Sequence, residues 1–249
     1  MALPSRVRRM QAAFCGMVAG CLLVVLFCTF PALDLTLSAL FYAEQQTPAW
    51  YLKDAIPWGW LYVYGELPAC MMAIGAFLVL LGSLRCAAWR QYRRSCLLLV
   101  LAVALGPGLL VNGLLQPLWG RPRPRHIEQF AGTQPYRPWW QPGGPGAGES
   151  FPSGHAAMGY VLLAGAVLVS GGRRVWLGRL ALGGALAYGT LVGIARVVQG
   201  GHFASDVVWS GWLMYLTVLG LQKGLGKCLP ADAVACADQA QDWASPRAP

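Results

Sequence analysis

Long apolar runs broken by short basic or proline-rich connections dominate the chain. Five stretches approach the length a helix needs to cross the hydrocarbon core: 11–32, 66–84, 96–118, 156–171 and 180–198. A sixth, 204–222, is interrupted by Asp206 near its start. The pattern predicts an all-α bundle of six transmembrane spans.

Composition agrees. Hydrophobic residues make up 56% of the 249 positions and charged residues 12%, and mean hydropathy is +0.48, values foreign to an ordinary soluble domain. The net charge of +9 raises nucleic acid as a partner. Its placement argues against that, because the basic residues cluster between apolar runs and no soluble basic face accompanies them. Arg6, Arg8 and Arg9 precede span one; Arg85, Arg90, Arg93 and Arg94 separate spans two and three; Arg173, Arg174 and Arg179 separate four and five; Lys223 and Lys227 follow six. The positive-inside rule makes these segments cytoplasmic and puts both termini inside. Span one is read as a retained helix, since its apolar region is long and no small-x-small cleavage site follows.

The connections differ in kind. Residues 33–65, rich in Trp and Tyr, are expected outside at headgroup level with a short interfacial helix. Residues 119–152, containing RPWWQPGGPGAGES, carry too much proline and glycine for regular structure. Residues 1–227 form the membrane-embedded domain, and 228–249 read as a disordered cytoplasmic tail. Trp119, Trp139 and Trp140 read as interfacial anchors. No cysteine falls in an expected outside loop and no Cys/His spacing suggests zinc, so neither a disulfide framework, a metal nor a cofactor is expected.

Exceptions to the positive-inside rule point to chemistry. Lys53, Arg121, Arg123, Arg125, Arg137 and Arg196 fall outside or at the outer boundary, where charge is costly and is a functional candidate by default. Pro152-Ser153-Gly154-His155 opens span four, so Ser153 is a natural N-cap beside free backbone N–H groups that favour an anion. Arg196 closes span five. His202 stands four residues before Asp206; with span six starting near His202, the two share a helical face, and the carboxylate fixes the imidazole tautomer. Arg123, His155, Arg196 and His202 all fall on the same outer face, an arrangement suited to a phosphate-like anion.

These segments resemble the signature of the type 2 phosphatidic acid phosphatase family, whose superfamily includes bacterial acid phosphatases and vanadium-dependent haloperoxidases. The pattern is K-x6-R-P, P-S-G-H and S-R-x5-H-x3-D. The second motif is intact at Pro152 to His155; the third appears as Ala195, Arg196, His202 and Asp206; the first aligns Arg123 and Pro124 but has Gln116 at the lysine position. The resemblance implies a metal-independent mechanism with His202 as the nucleophile and Asp206 orienting it. His155 protonates the leaving oxygen, and Arg123, Arg196, Ser153 and Gly154 hold the phosphoryl oxygens. Gln116 donates a hydrogen bond without charge, with Arg121 a candidate to compensate by binding substrate. The implied substrate is a lipid-linked phosphate presented from the outer leaflet of a bacterial inner membrane, among undecaprenyl diphosphate, phosphatidylglycerol phosphate, phosphatidic acid and the phosphates of lipid A. A lipid-to-lipid phosphotransferase using the same histidine is the alternative. A noncatalytic binder or transporter is a third reading, suggested by Gly106-Pro107-Gly108 inside span three.

Overall fold

A computed structural model of the chain describes residues 5–170 and 175–228. The described residues are helical, with one isolated bridge between Ile127 and Gln134 and no strand. The expected tail lies outside the described residues apart from its first position, as do Arg173 and Arg174.

The apolar runs become helices close to their expected limits. Helix α1 covers Ser5–Thr29, and α2, Ala32–Ala39, folds back at 89°. Helix α3, Trp58–Tyr64, leads into α4, Leu67–Arg85. The third run is one rod of changing winding: α5 Arg93–Val103, a π-helical stretch Ala104–Leu115, then α6 Gln116–Trp119. Pro107 sits inside the wide stretch; proline has no N–H for the ladder and its ring crowds the preceding turn, which accounts for lost α-winding there. The fourth run is divided into α7, Gly154–Tyr160, and α8, Leu163–Ser170. Helices α9, Val175–Val198, and α10, Ala204–Cys228, complete the bundle.

Four of these helical rods are long and apolar enough to cross a membrane, or five when the bent pair α1–α2 counts as one, and Gly154–Ser170 is a shorter apolar segment. The expectation of six spans is thus met in part: four or five rods qualify, and the first and fourth apolar runs are the ones that bend or break.

Small residues draw the rods together. Ala102, Val111, Ala156, Ala157 and Val161 are completely or almost completely buried in the central cluster. A Cβ on Gly159 would lie 2.8 Å from the Gly189 Cα, so α7 and α9 approach as closely as their backbones allow. Without a hydrophobic drive between helices in lipid, such contact supplies much of the association.

Chain direction sorts the ends. Leu67 of α4, Trp119 of α6, Gly154 of α7, Val198 of α9 and Ala204 of α10 belong to one end of the bundle, whereas the basic 85–94 connection belongs to the other. The 119–152 connection has only short 3-10 turns at Pro124–His126 and Glu128–Phe130. It is nevertheless well packed: Trp119 donates from Nε1 to the Trp139 carbonyl over 2.6 Å, and Trp139 packs at a tilt against Trp209 with ring centres 4.6 Å apart. Trp119 and Trp139 therefore fix the loop that leads to Pro152, a structural task beyond the interfacial anchoring expected of them.

Candidate active site

His202 lies in the turn between α9 and α10, and the turn is built around glycine. Gly200 has φ +61° and accepts a backbone bond from Arg125 over 3.1 Å, while Gly201 donates to the Arg196 carbonyl over 2.9 Å. A Cβ at Gly200 would enter the Trp50 ring. Left-handed geometry ends α9 and turns the chain so that His202 is enclosed, 2% exposed.

The His202 Nδ1 lies 2.6 Å from the Ser150 carbonyl oxygen. A carbonyl only accepts, so Nδ1 carries the proton and Nε2 the lone pair. Burial, followed by the Arg196 charge, pushes the imidazole well below its ordinary pKa. The ring is consequently neutral near pH 7 and nucleophilic at Nε2.

Asp206 does not hold His202 directly, as its spacing suggested. Its Oδ2 is 4.0 Å from Nδ1; the same oxygen accepts from Ser150 Oγ at 2.6 Å and from the Phe203 backbone N–H at 2.8 Å. The physical reason is the helix start. Because α10 begins at Ala204, His202 precedes the helix and shares no helical face with Asp206. Orientation passes through Ser150, whose hydroxyl binds the carboxylate and whose carbonyl binds the ring.

Arg121 also departs from expectation. It is fully buried, and its guanidinium pairs with Asp206, with Asp34 at 2.8 Å, with Ser205 Oγ at 2.8 Å and with the Arg137 carbonyl at 2.9 Å. The planar fork is consumed by two carboxylates that would otherwise be buried unpaired. Arg121 is therefore a structural cation behind the histidine turn, and its proposed compensation for Gln116 does not fit this geometry.

Arg196 occupies a different environment. It is 5% exposed, its Nη1 donates to Gln199 Oε1 at 2.5 Å, and its guanidinium carbon lies 4.5 Å from the Tyr62 ring centre. Its Nε is buried without a partner among the described residues. Arg196 and Arg123 are both within electrostatic reach of His155 and His202. Arg123 is partly exposed, bonds Glu149 at 3.2 Å, and lines an open groove of about 460 Å³ with His126 and Gln134.

Ser153 caps α7 as expected, its Oγ accepting from the Ala156 N–H at 3.4 Å. A Cβ at Gly154 would collide with the Asn112 amide of the π-helical stretch, so a side chain here would have to displace that amide. Gln116 Nε2 donates to the Pro152 carbonyl at 2.9 Å. The residue at the lysine position thus ties the end of the third rod to the Pro-Ser-Gly-His turn. His155 stacks on Tyr62 with centres 5.2 Å apart, and its Nδ1 lies 3.4 Å from Glu66 Oε1.

Asp34, Ser150, Tyr62 and Glu66, which complete this network, lie outside the three signature motifs. Asp34 and Glu66 had the signal of acidic residues beside apolar runs. Ser150 had none, because the carbonyl that holds the ring is common to every residue type.

Comparisons with known proteins agree with these motifs. A sequence model described as the PAP2 superfamily matches residues 95–227. The chain is 31% identical over 204 residues to the lipid A 4'-phosphatase of Francisella tularensis subsp. novicida (strain U112), a match covering 81% of this chain and 90% of that protein. It is 34% identical over 116 residues to the lipid A 1-phosphatase of Rhizobium etli, covering 45% of this chain and 44% of the relative. No solved structure gives a significant match.

Proposed function

Because the chain belongs to the PAP2 superfamily and is a membrane phosphatase acting on lipid-linked phosphate, we propose that it removes a phosphate from lipid A, by analogy with the 4'-phosphatase relative, through a phosphohistidine on His202. The observation that carries this reading is Arg196: a buried cation whose Nε–H has no partner among the described residues, within electrostatic reach of His155 and His202. Such a donor meets a phosphoryl oxygen without the cost of first leaving another partner.

In the first step His202 Nε2 bonds to phosphorus as the bond to the leaving oxygen breaks, and His155 gives that oxygen a proton. Arg196 and Arg123 neutralise charge on the equatorial oxygens, with the α7 backbone around Ser153 and Gly154 contributing N–H donors. In the second step His155 takes a proton from water while its oxygen attacks phosphorus. The P–N bond breaks, its electron pair returns to Nε2, and phosphate leaves.

Six membrane passages, counting the bent and broken segments, with both termini cytoplasmic would put this end of the bundle outside. Support comes from the basic 85–94 connection lying at the opposite end. In a bacterial inner membrane the site then faces the periplasm and the outer leaflet. The test is mass analysis of lipid A incubated with purified protein in detergent. Wild type is expected to produce a species lighter by one phosphate together with inorganic phosphate, and His202→Ala neither; product formation by His202→Ala overturns the proposal.

A further inference from the structure

The α3–α4 junction lies outside all three signature segments, yet two of its side chains meet His155. Tyr62 of α3 stacks on the imidazole with an interplanar angle of 20°. Glu66, between α3 and α4, brings Oε1 to 3.4 Å from Nδ1. The junction is itself secured, because Tyr188 of α9 donates its hydroxyl to the Gly65 carbonyl over 3.0 Å.

Glu66 stands at the N-cap of α4, where the ordinary task of an acidic residue is to accept from the helix's first N–H groups. Its side chain makes no such bond. The carboxylate is turned away from its own helix and toward the ring. Its other charged neighbour is Arg196.

We infer that Glu66 is a positioning residue for His155, accepting from Nδ1–H so that Nε2 faces the reacting phosphoryl group. The inference rests on the phosphatase reading above and deepens it. One ring orientation then serves both steps. As imidazolium, His155 keeps Nδ1–H on Glu66 and gives the Nε2 proton to the leaving oxygen. As neutral imidazole it keeps the same Nδ1–H and presents the Nε2 lone pair to water. The carboxylate also favours the imidazolium against burial, the larger effect, and against the charges of Arg196 and Arg123, the cations within reach of this ring; Tyr62 and the buried His202 are the other titratable groups facing it.

The experiment compares wild type, Glu66→Gln, Glu66→Ala, His155→Ala and the His155→Ala/Glu66→Ala double variant on lipid A in detergent across pH. Glu66→Ala is expected to lower kcat about 10–100-fold, part of the usual general acid–base contribution, with KM within about threefold. Glu66→Gln, which keeps an acceptor but loses the charge, falls less and moves the alkaline limb of kcat to lower pH. In the His155→Ala background, Glu66→Ala adds nothing, as two groups acting as a unit require. Glu66→Gln and thermal melting guard against a folding defect in Glu66→Ala. Activity within twofold of wild type, an unmoved alkaline limb, or a loss that adds to that of His155→Ala overturns the inference. His202→Ala separates the two readings: if it still releases phosphate, the phosphatase mechanism fails; if it is inactive and Glu66 variants behave as wild type, only the role of Glu66 fails.

Discussion

Gln116 Nε2 donates to the carbonyl of Pro152 over 2.9 Å, linking the end of the third apolar rod to the turn that carries Ser153 and His155. The position where the signature has lysine is thus close enough to the site to touch its backbone. A lysine there carries a full charge on a longer stem, and hydrogen bonds to charged groups contribute about 1.5–3 kcal/mol. Gln116→Lys is therefore expected to tighten inhibition by inorganic phosphate about tenfold. Gln116→Ala, which cuts the tie, lowers turnover. An unchanged phosphate inhibition constant in Gln116→Lys excludes this geometry for the anion.

Arg121 and Arg123, two positions apart, are expected to fail differently. Arg121 is enclosed between Asp34 and Asp206, and removing one partner of a buried ion cluster costs about 3–5 kcal/mol. Arg121→Ala should lower the melting temperature sharply, and Arg121→Lys should not restore it, because one ammonium cannot reproduce a fork held at both ends. Arg123 has an exposed Glu149 as its ion partner. Arg123→Ala should melt like wild type while losing turnover. Equal melting temperatures for the two alanine variants would contradict this division.

Much of this organisation is legible in the sequence, and its limits have physical causes. The rods at 66–84, 96–118, 180–198 and 204–222 are recognisable because lipid demands continuous apolar length. The fold-back at Ala32–Ala39 is not, since eight residues give too short a period to separate a turn from a continuing span. The Ser153 cap follows from its position before an apolar run. Asp206 at four residues from His202 looks like a direct partner until the helix start at Ala204 is known. The Ser150 carbonyl that takes its place is common to every residue type and leaves no mark in the sequence.

The neutral state of His202 gives a pH signature. Its folded pKa lies below the ordinary value because burial, then Arg196, disfavours the imidazolium. Between the unfolded pKa of about 6.5 and the lower folded one, the unfolded chain binds a proton that the folded protein refuses. Stability is full above about pH 6.5 and falls as pH drops through that window, by at most about 1.4 kcal/mol per pH unit from this group. Wild type should lose melting temperature between pH 6.5 and 5 more steeply than His202→Asn. Parallel profiles would mean that His202 is protonated in the folded protein.

The sharpest test of the turn itself is Gly200, which precedes His202 by two residues. Its φ of +61° is strained for any side chain, and a Cβ there would enter the Trp50 ring. A glycine-to-alanine change at positive φ costs on the order of 1 kcal/mol or more from the backbone alone. The ring adds to it, because Trp50 is held by Phe130 and Tyr42 at centre distances of 5.3 and 5.6 Å and has little room to retreat. The chain must yield instead, and the bond from His202 Nδ1 to Ser150 depends on where that chain runs. Gly200→Ala is expected to lower kcat at least tenfold, since small displacements of a reacting atom are costly. Trimming the obstacle relieves the clash, so Gly200→Ala/Trp50→Ala should recover part of the lost kcat. Full activity in Gly200→Ala would show that the turn tolerates a shift without moving His202, and the proposed link between backbone geometry and turnover would fail.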